Sequence, residues 1–99
     1  MIVVISRMHI KPGFQEQLKS LARITVDATL KEHGCISYRF VQDAFDDCVF
    51  CFVEEWLNQD CLKAHTLTEH FRIWREQNAH MIANRTIKVY EAQEANLKL

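Results

Sequence analysis

Glycine and proline are scarce in this sequence, with only two glycines and one proline among 99 residues. No glycine-rich loop that could cradle a phosphate group is therefore present. A chain this short buries only about 60 to 65 percent of the surface that its unfolded form exposes. Because 48% of the residues are hydrophobic, we expect the remaining apolar surface to be covered in a homodimer or a larger oligomer.

Long hydrophobic runs and basic clusters are also missing. The longest uninterrupted apolar stretch, residues 2–5, is far short of the roughly 20 residues that span a bilayer, and no signal-peptide pattern precedes it. Twelve basic and thirteen acidic residues give a net charge of −1. The sequence therefore predicts a soluble, cytoplasmic protein that binds neither nucleic acid nor membranes.

Cysteine is present but sparse: four residues are few for a disulfide-stapled secreted scaffold, so we expect reduced thiols. Cys48 and Cys51 lie three positions apart in a predicted strand. They therefore point to opposite faces and cannot converge on a metal ion. His9 and His33 have no ligand-type spacing either. We expect no metal and no cofactor.

Alternating apolar residues predict four strands, at Ile2–Ile10, Cys35–Gln42, residues 48–56 and residues 85–91. A helix of about five turns separates the first two strands and ends at Gly34, a typical C′ glycine.

The second helical region is predicted to be broken near residue 66. Asn58 can cap a short helix that runs through His65. Thr66 and Glu69 have the spacing of a capping box that starts another helix. The inward stripe of that helix is predicted to be Phe71, Trp74, Asn78 and Met81.

The order β-α-β-β-α-β predicts an α+β fold of the ferredoxin-like type, with an antiparallel sheet and both helical regions on one face. The other face, to which we assign Ile5, Tyr38 and Val89, needs a cover that the chain does not encode. A second subunit is the natural candidate, so we expect a homodimer formed through the open sheet face.

Four short motifs follow one another in a characteristic order. They are Pro12-Gly13, Gly34-Cys35-Ile36-Ser37-Tyr38, Glu54-x-Trp56 and Ala64-His65-x-x-x-x-His70-Phe71. Together they resemble the antibiotic biosynthesis monooxygenase (ABM) domain family over residues 1–92. At 99 residues the chain is expected to form a single domain over residues 1–99, with a polar tail at residues 93–99. The resemblance implies a dimeric α/β barrel with a pocket in each subunit between sheet and helices.

The activities of the resembling family are diverse. Some members oxidise quinols or polycyclic phenols with O₂ and without a prosthetic group, whereas others degrade haem or isomerise a phosphorylated quorum-sensing sugar derivative. The haem-degrading members use an Asn, a Trp and a His ligand where this sequence has Ser6, His65 and Arg75. This departure argues against haem, unless a shifted helix lets His70 or His80 replace the ligand.

His65 and His70 are the candidate catalytic residues, because a neutral imidazole near pH 7 can take a phenolic proton and return it. Five residues apart on one helix, their side chains diverge by about 140°. A break at Thr66 would let both face one cleft. The alternative is that one of them caps a helix end or pairs with Glu69.

The candidate substrate-binding residues form a stripe and a strand face. His70, Trp74 and Asn78 recur every four residues, and with Phe71 they suit a planar phenolic ligand. For Trp74 we favour plain core over contact with a ligand, because a Trp beside Phe71 and Met81 on a buried face needs no ligand. A buried Asn78 amide would require a hydrogen-bond partner, which a ligand or water could supply.

Glu54 and Ser6 are further candidates for substrate binding. Glu54 shares a strand face with aromatic residues, where the pKa of a carboxyl group rises unless it is paired. We favour a structural ion pair over a role as base, with Arg7, Arg39 or Arg85 as partner. Ser6, a lone hydroxyl among apolar neighbours, either donates to a substrate oxygen or leaves room for a helix.

The leading hypothesis is therefore a cofactor-independent monooxygenase that oxidises a quinol or related phenol with O₂. One alternative is an isomerase of a small phosphorylated hydroxy-ketone, whose phosphate would be held by Arg7, Lys63, Arg72 or Arg75. A second alternative is a non-catalytic dimer that binds a small aromatic ligand.

Overall fold

A four-stranded antiparallel sheet with three helices on one face makes up the computed structural model, which describes residues 1–99. The elements are β1 (Ile2–Ile10), α1 (Gln15–Thr29), β2 (Cys35–Gln42), β3 (Val49–Trp56), α2 (Gln59–Thr66), α3 (Glu69–Asn78) and β4 (Ile82–Glu91). This arrangement confirms the predicted ferredoxin-like α+β fold, with the second helical region divided in two. None of the helices is long and apolar enough to cross a membrane.

The strand order is β2-β3-β1-β4, and every neighbouring pair is antiparallel. Directly paired residues share a face of the sheet. Ser6 pairs with Phe52 on one side and Ile87 on the other, and Val4 pairs with Glu54 and Val89. The even-numbered residues of β1 therefore face the helices.

The hydrophobic core lies between this face and the helices. Aromatic and aliphatic side chains from β1 and β3 supply its floor, and α1 contributes Leu18, Leu21 and Ala22. The opposite face of the sheet carries no element of the chain, and apolar side chains such as Ile5 and Val53 are partly exposed there. The two faces thus differ sharply in burial.

The predicted positions of Tyr38 and Val89 on the open face are wrong. Tyr38 pairs with Glu54 and is buried beneath the helices, and Val89 pairs with Val4 on the same side. A register irregularity between Cys35 and Ser37 precedes Tyr38. Val89 stays half exposed because it lies on an edge strand beyond the helices.

The break between α2 and α3 is set by Thr68 rather than by Thr66. The Thr68 hydroxyl accepts from the backbone N–H of Phe71 at 3.3 Å and donates to the carbonyl of His65 at 2.7 Å. Thr66 is the last residue of α2, and its hydroxyl donates to the Lys63 carbonyl. The predicted capping box is therefore wrong by two residues, whereas the predicted Asn58 cap is present and accepts from the Cys61 N–H at 2.9 Å.

The junction of α3 and β4 also differs from the prediction. The helix ends at Asn78, so Met81 is buried in the connection and not on the helical stripe. The last strand begins at Ile82, three residues before the predicted start, because a register shift near Ile10 lets Ile10 pair with Ile82. Residues 93–99 have no regular secondary structure.

Gly34 allows α2 to approach the chain that follows α1. Its φ is +80°, and a Cβ atom there would lie 2.7 Å from the Cβ of Cys61 in α2. The Gly34 carbonyl also accepts from the N–H of Leu57 at 2.8 Å. This close approach places the end of α2, with His65, beside the residues just before Gly34.

Replacing Gly34 with alanine should therefore destabilise the fold by about 3 kcal/mol, from left-handed strain together with overpacking against Cys61. Gly13→Ala is the matched control, because Gly13 also has a positive φ, +94°, but faces open space. It should cost only about 1 kcal/mol. Urea unfolding of both variants measures the difference, and equal losses would contradict the packing role of Gly34.

Candidate active site

A cavity of about 150 Å³ lies between the sheet and the helices α2 and α3. The sheet supplies Val4, Ser6, Tyr38, Phe52 and Glu54. The helices supply Leu62, His65, Thr66, Phe71, Trp74 and Arg75. The edge strand β4 adds Arg85, Ile87 and Val89. A cavity of roughly this volume accommodates one benzene ring.

The floor of the cavity consists of two rows of paired residues. One row runs Tyr38, Glu54, Val4 and Val89 across all four strands. In the next row, Ser6 is the small residue between Phe52 and Ile87. Its short side chain leaves the space above the sheet open to the cavity and not to a helix.

His65 is the titratable residue held most firmly in the cavity wall. Its ring is only 2% exposed and packs edge-on against Tyr38 and Phe71, with centroid distances of 5.4 and 5.1 Å. Its Nδ1 lies 2.6 Å from Oε2 of Glu32. Glu32 occupies the Nδ1 edge of the ring and is not part of the cavity wall, so Nε2 is the ring nitrogen of His65 that has no hydrogen-bond partner in the protein.

Glu32 is the candidate site residue that the sequence analysis missed. It lies in the turn after α1, and its Oε2 also contacts Nε2 of His70, at 2.7 Å. One carboxylate oxygen thus joins both histidines. The sequence contained one signal for Glu32. A negative charge just after the C-terminus of a helix is unfavourable, so an acidic residue at this position suggests a compensating partner elsewhere.

The contact with Glu32 determines the tautomer of His65. A carboxylate accepts hydrogen bonds, so Nδ1 carries the proton and Nε2 keeps its lone pair. Burial lowers the pKa of His65 below 6.5, while the hydrogen bond and charge of Glu32 oppose this shift and His70 adds to it. The ring is therefore neutral at pH 7, and Nε2 can act as a base.

Glu54 is a second buried titratable group in the same wall, with only 5% of its surface exposed. Its Oε1 accepts from the indole N–H of Trp56 at 2.9 Å, and no arginine lies within ion-pair distance. The predicted ion pair with Arg7, Arg39 or Arg85 is therefore wrong. Burial, with a contribution from the charge of Glu32, raises the pKa of Glu54 to about 7 against the lowering effect of Trp56.

Residues 1–77 match the sequence family described as antibiotic biosynthesis monooxygenase. The chain belongs to the ABM family. It is 33% identical over 94 residues to an uncharacterized protein of Synechocystis sp., a match that covers 94% of this chain and 64% of that protein. The chain thus spans just under two thirds of the length of this curated relative.

Solved structures are similar to this ABM chain over nearly its whole length. A crystal structure of antibiotic biosynthesis monooxygenase is 33% identical, with a TM-score of 0.87 and coverage of 95% of this chain and 100% of the other. A Pseudomonas aeruginosa protein is 28% identical, with a TM-score of 0.87 and 94% of each chain covered. A Nitrosomonas europaea protein, proposed to be an antibiotic biosynthesis monooxygenase, is 25% identical with a TM-score of 0.92, covering 95% and 100%.

The two candidate histidines of this ABM domain occupy different positions. His65 lines the cavity, whereas His70 lies outside its wall, is about one fifth exposed and contacts Glu32 from α3. The expected pairing with Glu69 does not form, since Glu69 binds Arg72 instead. His70 is therefore placed to support Glu32 and not to touch a ligand in the cavity.

The aromatic candidates Phe71 and Trp74 both line the cavity. Trp74 is buried and packs edge-on against Phe52 with a centroid distance of 5.0 Å, so it belongs to the core and to the wall at once. Asn78 is completely buried but lies outside the wall. Its Oδ1 accepts from Arg85 at 3.1 Å, and its Nδ2 has no partner.

Glu32, His65 and His70 also form the best candidate metal-ligand set. Their ligand atoms all lie within 4.8 Å of one another, and two imidazoles with a carboxylate suit divalent transition metals. The contacts of 2.6 and 2.7 Å are those of charge-assisted hydrogen bonds. The prediction that the protein functions without a bound metal ion remains a prediction. All four cysteines are free.

Glu54 should give the stability of this ABM domain a distinctive pH dependence. Its pKa is about 7 in the folded state against 4.5 for a free carboxyl group, so its contribution is complete below pH 4.5 and is lost as the pH rises to about 7. Relative to Glu54→Gln, the wild-type free energy of unfolding should fall by up to about 3 kcal/mol over this range. Urea titrations at several pH values measure this loss, and parallel profiles for both proteins would contradict it.

Proposed function

We propose that this ABM protein is a cofactor-independent monooxygenase that oxidises a small quinol or related phenol with O₂. The observation that carries the proposal is His65, neutral and held by Glu32, with its free ring edge in a cavity the size of one aromatic ring. The aromatic walls Phe52, Phe71 and Trp74 suit a planar ligand.

The first step is removal of a phenolic proton by Nε2 of His65. The imidazolium that forms is stabilised by Glu32, whose carboxylate lies 2.6 Å from Nδ1. The phenolate transfers an electron to O₂ far more readily than the neutral phenol does. Recombination of the radical pair at a ring carbon that bears hydrogen then forms a C–O bond and a peroxide.

The second step converts the peroxide to a quinone. The ring carbon loses its proton, the O–O bond breaks, one oxygen remains as the quinone carbonyl, and the other leaves as water. The phenol supplies all four electrons, so no further reductant is needed. Glu54, with a pKa of about 7 in the same wall, can relay the protons that this step moves.

The remaining wall residues orient the ligand and exclude water. Phe71 and Trp74 confine the ring from the helices, and the Ser6 hydroxyl lies on the floor within the cavity wall. We assign the role of holding a substrate oxygen to Ser6 and not to Asn78, which the wall does not include.

An isomerase of a phosphorylated hydroxy-ketone is the second candidate function. It is favoured by one observation, the presence of Arg75 in the cavity wall, where it could anchor a phosphate group. Arg72, by contrast, is bound to Glu69 and Glu76 on the surface. Uptake of solvent deuterium into such a substrate under anaerobic conditions would favour the isomerase.

We further propose that the open sheet face binds a second copy of the chain. This face carries partly exposed apolar residues from all four strands, among them Ile5, Val41, Val53 and Tyr90. Light scattering should therefore give twice the chain mass of 11.7 kDa. A monomer at micromolar concentration, or a dimer that survives Val53→Lys, would argue against this interface.

Substitution of His65 tests the proposed base directly. With chelator-treated protein and a panel of quinols in air, His65→Gln should lower oxygen uptake about 10²- to 10⁴-fold, because the general base is lost while a donor to Glu32 remains. His80→Gln, at an exposed position, is the control and should keep wild-type activity. Oxygen uptake by wild-type protein that never exceeds autoxidation would refute the proposed function.

Glu32→Gln tests the positioning role of the carboxylate. It should reduce oxygen uptake about 10- to 100-fold, as expected for a residue that orients another. Since Glu32 raises the pKa of His65, its loss should also move the acid limb of the kcat/KM profile to lower pH. A loss of activity with an unchanged pH profile would indicate a merely structural role.

A further inference from the structure

Two arginines from different elements meet at the cavity. Arg75 comes from α3 and Arg85 from the edge strand β4, and both are part of the wall. Neither has a carboxylate within 4.0 Å, since the arginine ion pairs of the chain involve only Arg23 and Arg72. The cavity wall therefore carries two positive charges that the chain does not neutralise.

Both guanidinium groups are held in place without acidic partners. Arg85 donates from Nη2 to the buried Oδ1 of Asn78 at 3.1 Å. The Cζ atom of Arg75 lies 5.9 Å from the ring centroid of Phe71, a cation–π arrangement. The Asn78 amide and the Phe71 ring orient the two guanidinium groups, but neither partner neutralises their positive charge.

The two arginines also act on each other electrostatically. Burial lowers the pKa of Arg85, and the charge of Arg75 lowers it further. Like charges that approach each other beside an apolar cavity are unfavourable unless an anion binds to both. Guanidinium groups match carboxylate and phosphate oxygens with paired hydrogen bonds.

The other titratable groups of the wall fit an anionic ligand. His65 is neutral at pH 7 because burial lowers its pKa, and Glu54, whose pKa is about 7, is partly protonated there. Burial and the nearby Glu54 keep the Tyr38 hydroxyl protonated by raising its pKa. The wall as a whole is therefore positively charged, and the positive charge lies on Arg75 and Arg85.

We propose that the ligand of this cavity is a small aromatic acid, whose carboxylate or phosphate group binds to Arg75 and Arg85 while its ring lies among the aromatic walls. Binding of the aromatic acid does not depend on the proposed function, whereas oxidation of the bound acid does rest on it. This assignment narrows the substrate from a neutral quinol to a phenol that also carries an anionic group.

The test is a binding measurement that needs no turnover. Benzoate and phenyl phosphate are the anionic probes, benzamide is the neutral isostere of benzoate, and titration calorimetry gives the dissociation constants. At least one anion should bind 10-fold or more tightly than benzamide, and the tighter of the two identifies the anionic group. Benzamide binding as tightly as both anions would overturn the proposal.

Arginine variants locate the anion. Arg75→Gln, at an exposed position, should weaken binding of the preferred anion about 10-fold and leave benzamide unchanged. Arg85→Gln keeps an amide donor for Asn78 and should have the same effect. Arg23→Gln, at an exposed position of α1 far from the cavity wall, is the control and should not alter binding. Anion affinity unchanged by both cavity variants would also overturn the proposal.

Oxygen uptake separates this inference from the proposed function. If 2,5-dihydroxybenzoate is consumed much faster than hydroquinone, both stand. If benzoate binds through the arginines but no dihydroxy acid is oxidised, the aromatic-acid site stands and the monooxygenase fails. If hydroquinone is oxidised as fast as the acid and neither benzoate nor phenyl phosphate binds more tightly than benzamide, the monooxygenase stands and the anion site fails.

Discussion

The carboxylate of Glu32 is the interaction on which the site depends, because one of its oxygens joins three parts of the chain. Glu32 follows α1, His65 lies in the last turn of α2, and His70 lies in the first turn of α3. Hydrogen bonds to a charged group are each worth about 1.5 to 3 kcal/mol. The two contacts therefore fix the angle between α2 and α3, and they also set the tautomer of the histidine that faces the cavity. Gly34 permits this geometry by letting α2 lie against the turn that contains Glu32.

The cavity is lined mainly by apolar side chains, and its few titratable residues differ in their charge near pH 7. Ser6 between Phe52 and Ile87 leaves the space for a ring, and Trp74 closes it from above while remaining part of the core. Around that space lie the imidazole of His65, which burial keeps neutral, and the carboxyl group of Glu54, whose pKa of about 7 lets it gain or lose a proton near neutral pH. Such groups, with pKa values shifted by burial, are typical of catalytic sites. A small domain thus builds its candidate site from residues that also hold its core together.

Local patterns predicted the fold well, because alternation and turn residues are short-range signals. These signals predicted the strands and the Asn58 cap correctly. They did not predict that Thr68 and not Thr66 caps α3, because that depends on the residue at which α2 ends. Tyr38 was assigned to the wrong face because an irregularity between Cys35 and Ser37 is invisible to simple alternation. His65 was identified from its residue type and the family pattern. Its partner Glu32 is 33 residues away, and no local pattern reports a contact of that separation.

Nitrogen-15 NMR of the histidine rings tests the central claim most directly, since it reports which ring nitrogen of His65 carries a proton. The account predicts that His65 at pH 7 is a neutral imidazole with the proton on Nδ1 and an unprotonated Nε2. It also predicts that this state persists below pH 6.5, because burial lowers the pKa of His65. An imidazolium at pH 7, or a neutral ring with the proton on Nε2, would contradict the account.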